Sequence, residues 1–306
     1  MSLPAKNIFL SIGESMLEFS RGENDAWRLG FAGDTLNTAW YFRMSAPAQT
    51  WDVAYFTRLG ADPYSRRMAA FLAENGIATH WIEYDADRQP GLYLIDTDNG
   101  ERSFTYWRGQ SAARHLADDE QRLAAALASA DATYFSGITL AILSAPARQT
   151  LLRNLEVVRA AGKLVAFDPN IRPRLWEDAA AMRETLMAAA AISSIVLPTF
   201  DDERACFGDA SPSDTARRYA AAGIPEIVVK NGGGDIVALA DGDLQTIAGL
   251  KKVTPVDTTG AGDSFNGAYL AARAGGANVE TAIRQAHALA SRVVLHRGAL
   301  MPLPKS

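Results

Sequence analysis

Asp257, Thr259, Gly260, Ala261, Gly262 and Asp263 fall within seven consecutive residues, and the types and spacing suit phosphate chemistry. Two glycines one residue apart let the backbone turn tightly and aim successive N–H groups at one point. A helix is predicted to start there, because Phe265, Ala268, Tyr269 and Ala272 recur at i, i+3, i+4 and i+7 before Gly275-Gly276. Unpaired amides at a helix start, with the positive end of the macrodipole behind them, attract an anion such as phosphate. A carboxylate at the lip of such a hole would repel bound phosphate unless a substrate hydroxyl lay between them. That is the arrangement in which an acid takes a hydroxyl proton during phosphoryl transfer. The alternative at this level is a plain turn with Asp263 as its helix cap, since Asp is among the best N-caps.

Other polar residues suggest what the hydroxyl belongs to. Gly33-Asp34-Thr35-Leu36-Asn37 opens a helix that then turns largely apolar. Asp34 and Asn37 offer acceptors and donors suited to vicinal hydroxyls, although Asp34 or Thr35 also reads as the helix cap. Arg108 ends a predicted strand and Arg172 follows another. A neutral sugar needs no guanidinium, whereas a sugar acid presents a planar carboxylate that arginine binds through paired hydrogen bonds. Arg172 reads equally as facing nucleotide phosphates, and either arginine as a surface ion pair worth little.

These residues need a scaffold, and the chain is long enough for one large domain, 1–306, with a small appendage. Short apolar runs (8–12, 53–59, 133–136, 163–167, 195–197, 227–230, 236–239) alternate with helical patterns, which predicts an α/β fold with a mostly parallel sheet covered on both faces. Ligands then gather at the carboxyl ends of the strands. One region breaks the alternation. Gly91–Asp96 and Arg102–Arg108 flank an Asn99-Gly100 turn signal and read as a hairpin. With residues 14–19 it is expected to form a small antiparallel sheet standing off the main one, over about 14–32 and 84–112. Strand period puts Arg102, Phe104, Tyr106 and Arg108 on one face and Ser103, Thr105 and Trp107 on the other. One face is expected to cover substrate and the other to meet a second subunit, giving a homo-oligomer, although the segment also reads as a plain edge hairpin.

Composition narrows the partners. Hydrophobic content of 48% with 21% charged residues is that of an ordinary globular protein, and a net charge of −5 draws it to neither nucleic acid nor an anionic membrane. No stretch approaches the roughly 18 apolar residues of a membrane span. The single cysteine, Cys206, excludes an internal disulfide, and a cytoplasmic location is expected. No Gly-x-x-x-x-Gly-Lys-Ser/Thr is present, and Gly260-x-Gly262 lacks the third glycine and leading strand of a dinucleotide fingerprint.

The run Asp257-Thr-Thr-Gly-Ala-Gly-Asp-Ser-Phe265 resembles the C-terminal signature of the ribokinase-like (PfkB-type) carbohydrate kinases. The resemblance implies a three-layer α/β/α sandwich with a β lid often used for dimerisation, and an ATP-dependent kinase. Asp263 would be its base and the amides of Gly260, Ala261, Gly262 and Asp263 its anion hole. It also implies sugar contacts by Gly33, Asp34 and Asn37. Within the family, Pro90–Tyr93, Gly100–Arg108, Ser136–Leu143 and Asp168–Trp176 are similar to 2-keto-3-deoxygluconate kinases. By that likeness Tyr93, Tyr106, Arg108 and Arg172 contact the sugar acid and Ile138 offers backbone to it. On the nucleotide side the family places adenosine phosphates against the loop of Lys230 and Gly232, with Thr259, Gly260 and Gly262 nearby, although that loop also reads as a simple hairpin turn. His287 would wall the adenine, or merely belong to an amphipathic helix. Where the family carries Asn-x-x-Glu for water-bound Mg²⁺, this chain has Thr199 and Asp202, which leaves Asp202 or Glu203 as metal contacts or as ordinary first-turn acids. The rivals are a fructokinase or ribokinase, and a non-catalytic sugar- or nucleotide-binding sensor.

Overall fold

Apolar runs too short for helices, rich in branched and aromatic residues, become strands buried on both faces. In the computed structural model, which describes residues 5–21, 26–98 and 101–303 and only the backbone of 97, 98, 101 and 102, the first is β1 (Asn7–Ile12). The chain then forms β2 (Met16–Arg21), β3 (Trp27–Ala32), α1 (Asp34–Ser45), β4 (Trp51–Phe56), β5 (Arg58–Gly60), α2 (Pro63–Glu74), β6 (Ile77–Ala78) and β7 (Glu83–Asp85). A hairpin of β8 (Gly91–Asp98) and β9 (Glu101–Trp107) follows. Alternation then resumes with α3 (Glu120–Ser129), β10 (Ala132–Ser136), α4 (Gly137–Ile142), α5 (Ala145–Ala160), β11 (Leu164–Asp168), α6 (Ala179–Ala191) and β12 (Ile195–Val196). The last part holds α7 (Phe200–Phe207), α8 (Pro212–Ala221), β13 (Glu226–Val229), β14 (Ile236–Ala240), β15 (Asp243–Ile247), α9 (Ala261–Ala274) and α10 (Val279–Val293).

The main sheet runs β15-β14-β13-β12-β11-β10-β1-β4-β6, parallel from β13 to β6 and antiparallel at β14 and β15. Alternation along β1 sends Leu10 and Ile12 into one core, with Leu123, Leu151 and Leu186 of α3, α5 and α6. Phe9 enters the opposite core with α1, α2, α9 and α10, and stacks on Phe42 at 3.8 Å. Three layers follow directly from that two-sided burial. Among the described residues no helix is long and apolar enough to cross a membrane.

The lid is the second sheet, ordered β3-β2-β8-β9. Its central pair corrects the antiparallel expectation: β2 and β8 run parallel, because both leave the body at the same end, where Met16 pairs with Gly91. β8 and β9 pair antiparallel from Leu92–Trp107 to Asp98–Glu101, while the Asn99-Gly100 turn and the Arg102 side chain lie outside what is described. β3 and the polar edge strand β15 have no counterpart among the strands expected from apolar runs. Both alternate polar with apolar residues and are defined by their partners.

Candidate active site

Strands β10, β11, β12 and β13 deliver their carboxyl ends to one cleft of about 650 Å³, roofed by β8 and β9. The start of α9 forms its floor. Gly260 is the N-cap of that helix, with φ of 73°, and a Cβ there would lie 2.9 Å from the Ala299 carbonyl oxygen. Conformation and close approach both require glycine at this position. Asp263 is therefore in the first turn of α9 and not its cap, and Thr259, Gly260, Ala261, Gly262 and Asp263 all line the cleft.

The Asp263 carboxylate is held from across the site. Asn37 Nδ2 of α1 donates to its Oδ2 at 2.8 Å. Burial raises the Asp263 carboxyl to about 7, the nearby charge of Asp34 and then that of Asp168 add to the rise, and the Asn37 hydrogen bond and Lys230 oppose it. A carboxyl with that value sits where a general base works best near neutral pH. Gly33, not Asp34 or Thr35, caps α1, and it does so without a side-chain bond. Asp34 is thus free to face the cleft, where its Oδ2 accepts from Asn170 Nδ2 at 2.8 Å.

Three residues of this network carry no expected role from sequence. Asn170 adopts φ of 34°, uncommon outside glycine, with its N–H bonded to Asp168 Oδ1 at 2.9 Å. Asp168 Oδ2 accepts from Lys230 Nζ at 2.7 Å and from Asn266 Nδ2 at 2.6 Å, and Lys230 also reaches Asn266 Oδ1 at 3.0 Å. The available signals were Asp168-Pro-Asn170 directly after a strand and Asn266 one helical turn past Asp263. Lys230 lines the cleft, yet its ammonium is committed to this buried triad.

Above the floor, Tyr93, Phe104, Tyr106 and Arg108 descend from the lid, and Ile138 and Arg172 close the sides. Burial raises the Tyr106 phenol, while the charges of Arg108 and then Arg172 pull it down, so both guanidinium groups act on one corner of the cleft. Arg108 is paired with Glu14, and Arg172 Nη1 lies 3.4 Å from Asp202 Oδ2. That corner can receive a carboxylate.

The expected residues separate at three places. Gly232 lies in the turn between β13 and β14, outside the cleft lining, with φ of 52°. His287 also stands outside the lining, its Nε2 2.8 Å from the Lys251 carbonyl oxygen and 3.2 Å from Ser291 Oγ. Glu203 is a correction. Adjacent residues on a helix point about 100° apart, so Asp202 faces the cleft while Glu203 is wholly buried behind it, bonded to Arg218 at 2.6 Å and Tyr219 at 3.0 Å. It cannot meet a metal in the cleft. Among the described residues no group of three His, Cys, Asp or Glu is placed to hold a metal ion directly.

A mostly parallel three-layer body, a β lid, and a carboxylate at a glycine-capped helix start define a carbohydrate kinase. Residues 9–306 match the pfkB family carbohydrate kinases, and the chain belongs to that family. It is similar to the 2-dehydro-3-deoxygluconokinase of Dickeya dadantii (strain 3937), at 39% identity over 98% of each chain. The protein of the same name from Escherichia coli (strain K12) is 40% identical over 95% of this chain and 96% of its own. The fold matches a putative ribokinase II from E. coli solved in complex with ATP and Mg²⁺, with a TM-score of 0.81, 22% identity, and 96% and 94% of the two chains covered.

Proposed function

We propose that this protein transfers the γ-phosphoryl group of ATP to the terminal hydroxyl of 2-keto-3-deoxygluconate, giving 2-keto-3-deoxy-6-phosphogluconate and ADP. The observation that carries the reading is the placement of Asp263 in the cleft. Its carboxylate is fixed by Asn37 at the amide-rich start of α9, and two arginines converge on the lid corner of the same cleft.

Asp263 takes the proton of the terminal hydroxyl as its oxygen attacks phosphorus and the bond to the ADP oxygen breaks. The first amides of α9 stabilise charge on the equatorial oxygens. Asp34 and Asn37 orient the hydroxyls, and Arg108, Arg172, Tyr93 and Tyr106 fix the carboxylate end. Lys230, locked by Asp168 and Asn266, lends positive charge beside the helix start. Closure of the lid keeps water from the phosphoryl group.

A magnesium ion fits as a companion of the nucleotide, since Mg²⁺ keeps several waters and uses one or two carboxylates plus phosphates. Asp202 suits it, because burial raises that carboxyl even with Arg172 alongside, so a cation there is electrostatically favoured. When bound, the ion neutralises phosphate charge. In the same reading the protein is cytoplasmic, where Cys206 stays a free thiol, and a second copy covers the lid's outer face.

The test is ADP release against a panel of keto-deoxy sugar acids and hexoses, with Asp263→Asn and Arg108→Met alongside wild type. Asp263→Asn is expected to lower kcat by about 10²–10⁴-fold. Arg108→Met should raise KM for the keto acid far more than for fructose. A preference for fructose, or wild-type turnover in Asp263→Asn, overturns the reading.

A further inference from the structure

Arg108 owes its place in the cleft to a residue outside it. Glu14 lies just past the end of β1, is 1% exposed, and makes an ion pair with Arg108 Nη2. The pair is buried at the joint between body and lid. Glu14 Oε1 and Arg108 Nε are both buried and have no hydrogen-bond partner among the described residues. The surroundings are shaped around it. A Cβ on Gly91, the first residue of β8, would lie 2.8 Å from Glu14 Oε1 and 3.2 Å from Arg108 Cβ, so only glycine leaves the pair its room. A Cβ on Gly33, the cap of the helix carrying Asp34 and Asn37, would collide with the Glu14 carbonyl oxygen.

We infer that Glu14 is a positioning residue that sets substrate specificity: it holds the Arg108 guanidinium at the angle that receives the sugar acid's carboxylate. The inference rests on the reading of Arg108 given above. A free arginine over an open cleft would extend its charged end into water. An acid anchored in the body grips Nη2 through a charge-assisted bond while Nε is buried, which fixes the plane of the guanidinium and leaves Nη1 to serve the cleft. Glu14's own charge opposes a second carboxylate, but it acts across the guanidinium that both share. Misplacing a paired donor by about 1 Å costs on the order of 10²-fold. Orientation wins, so removing the acid weakens binding of the keto acid.

The experiment measures KM and kcat with 2-keto-3-deoxygluconate and with ATP for the full chain. Glu14→Gln, which keeps size and loses charge, should raise KM for the keto acid about tenfold or more. Its kcat and its KM for ATP should stay within about twofold of wild type. In an Arg108→Met background the same substitution should change nothing further. An unchanged keto-acid KM in Glu14→Gln overturns the inference, as does an equal loss in the Arg108→Met background. If Glu14→Gln alone does not fold, Glu14→Asp, which keeps the charge and draws it back by one methylene, decides in its place: it should raise KM for the keto acid and leave KM for ATP unchanged, and an unchanged keto-acid KM overturns the inference. Were Arg108→Met itself to leave the keto-acid KM at wild type, the carboxylate reading would fail and take this inference with it. A loss in Arg108→Met with none in Glu14→Gln removes the Glu14 role alone.

Discussion

A base that works near neutral pH is a burden to the fold that carries it, and the role proposed for Asp263 has both sides. Its carboxyl is raised to about 7, chiefly by burial. Between the ordinary carboxylate value near 4 and 7, the folded state keeps a proton that the unfolded chain releases, so this residue's contribution to stability falls as pH rises through that window and stays constant above it. Asp263→Asn is therefore expected to melt higher than wild type at pH 8, with the gap closing toward pH 4, as thermal denaturation across pH would show. Catalysis runs the other way, because the base must be deprotonated. The kcat/KM of wild type should fall about tenfold per pH unit below 7, and a flat profile from pH 5 to 8 would remove Asp263 as the base. Lys230 is a second case: Lys230→Met leaves Asp168 buried without its cation and should cost roughly 3–5 kcal/mol, read from denaturant midpoints. Sequence made Asp263, the glycine pair, Asp34, Asn37 and Arg108 legible because their types announce chemistry in a short span. Asp168, Asn170, Asn266 and Glu14 stayed silent, since each matters through a partner far along the chain: Asn266 meets Asp168 across 98 positions and Arg108 meets Glu14 across 94.

At the scale of elements, strands and helices were legible wherever a period-2 or period-3.6 pattern was buried, and their limits moved by only a few residues. Helix α9 starts at Ala261, so Gly262 of the glycine pair lies in its first turn. The parallel β2–β8 pairing could not be read, since alternation records which face a side chain takes and not the direction of the neighbouring strand. What local pattern also conceals is how closely two helices pass. Gly267 sits in α9 against α1, and a Cβ there would lie 2.5 Å from the Thr38 carbonyl oxygen and 2.7 Å from the Phe42 amide nitrogen. Both are backbone atoms, so α1 would have to move. Because Asn37 is one residue from Thr38, that shift draws its amide off Asp263. Gly267→Ala should destabilise the protein by about 1–3 kcal/mol and lower kcat as well. A folded variant with wild-type kcat would show that the α1–α9 spacing does not set the base.

On the scale of the whole molecule, the lid presents two different faces. Register aligns Phe31, Leu17, Leu92 and Trp107 in one row across the four strands, on the side opposite Tyr93 and Tyr106. Phe31 packs against Phe71 of α2, which covers the end nearest the body. At the other edge of that row Trp107 is 54% exposed, and farther out Trp27 is 45% exposed, on a sheet face whose other members include Phe19, Leu29 and Leu94. A twisted four-stranded sheet with one face on a ligand cleft and apolar residues on the other gains most from a second copy, since like faces can pair about a two-fold axis. Wild type is then expected to scatter light as a dimer at micromolar concentration, and Leu94→Glu with Trp107→Glu as a monomer. Trp107 points outward from the strand position next to Tyr106, which points into the cleft, so loosening the outer face disorders the inner one. The monomeric variant should therefore show a raised KM for the sugar acid with its KM for ATP nearly unchanged, because Gly260, Gly262 and Lys230 belong to the body. A monomeric wild type would end the proposal, and a monomeric variant with wild-type KM for both substrates would uncouple assembly from the cleft.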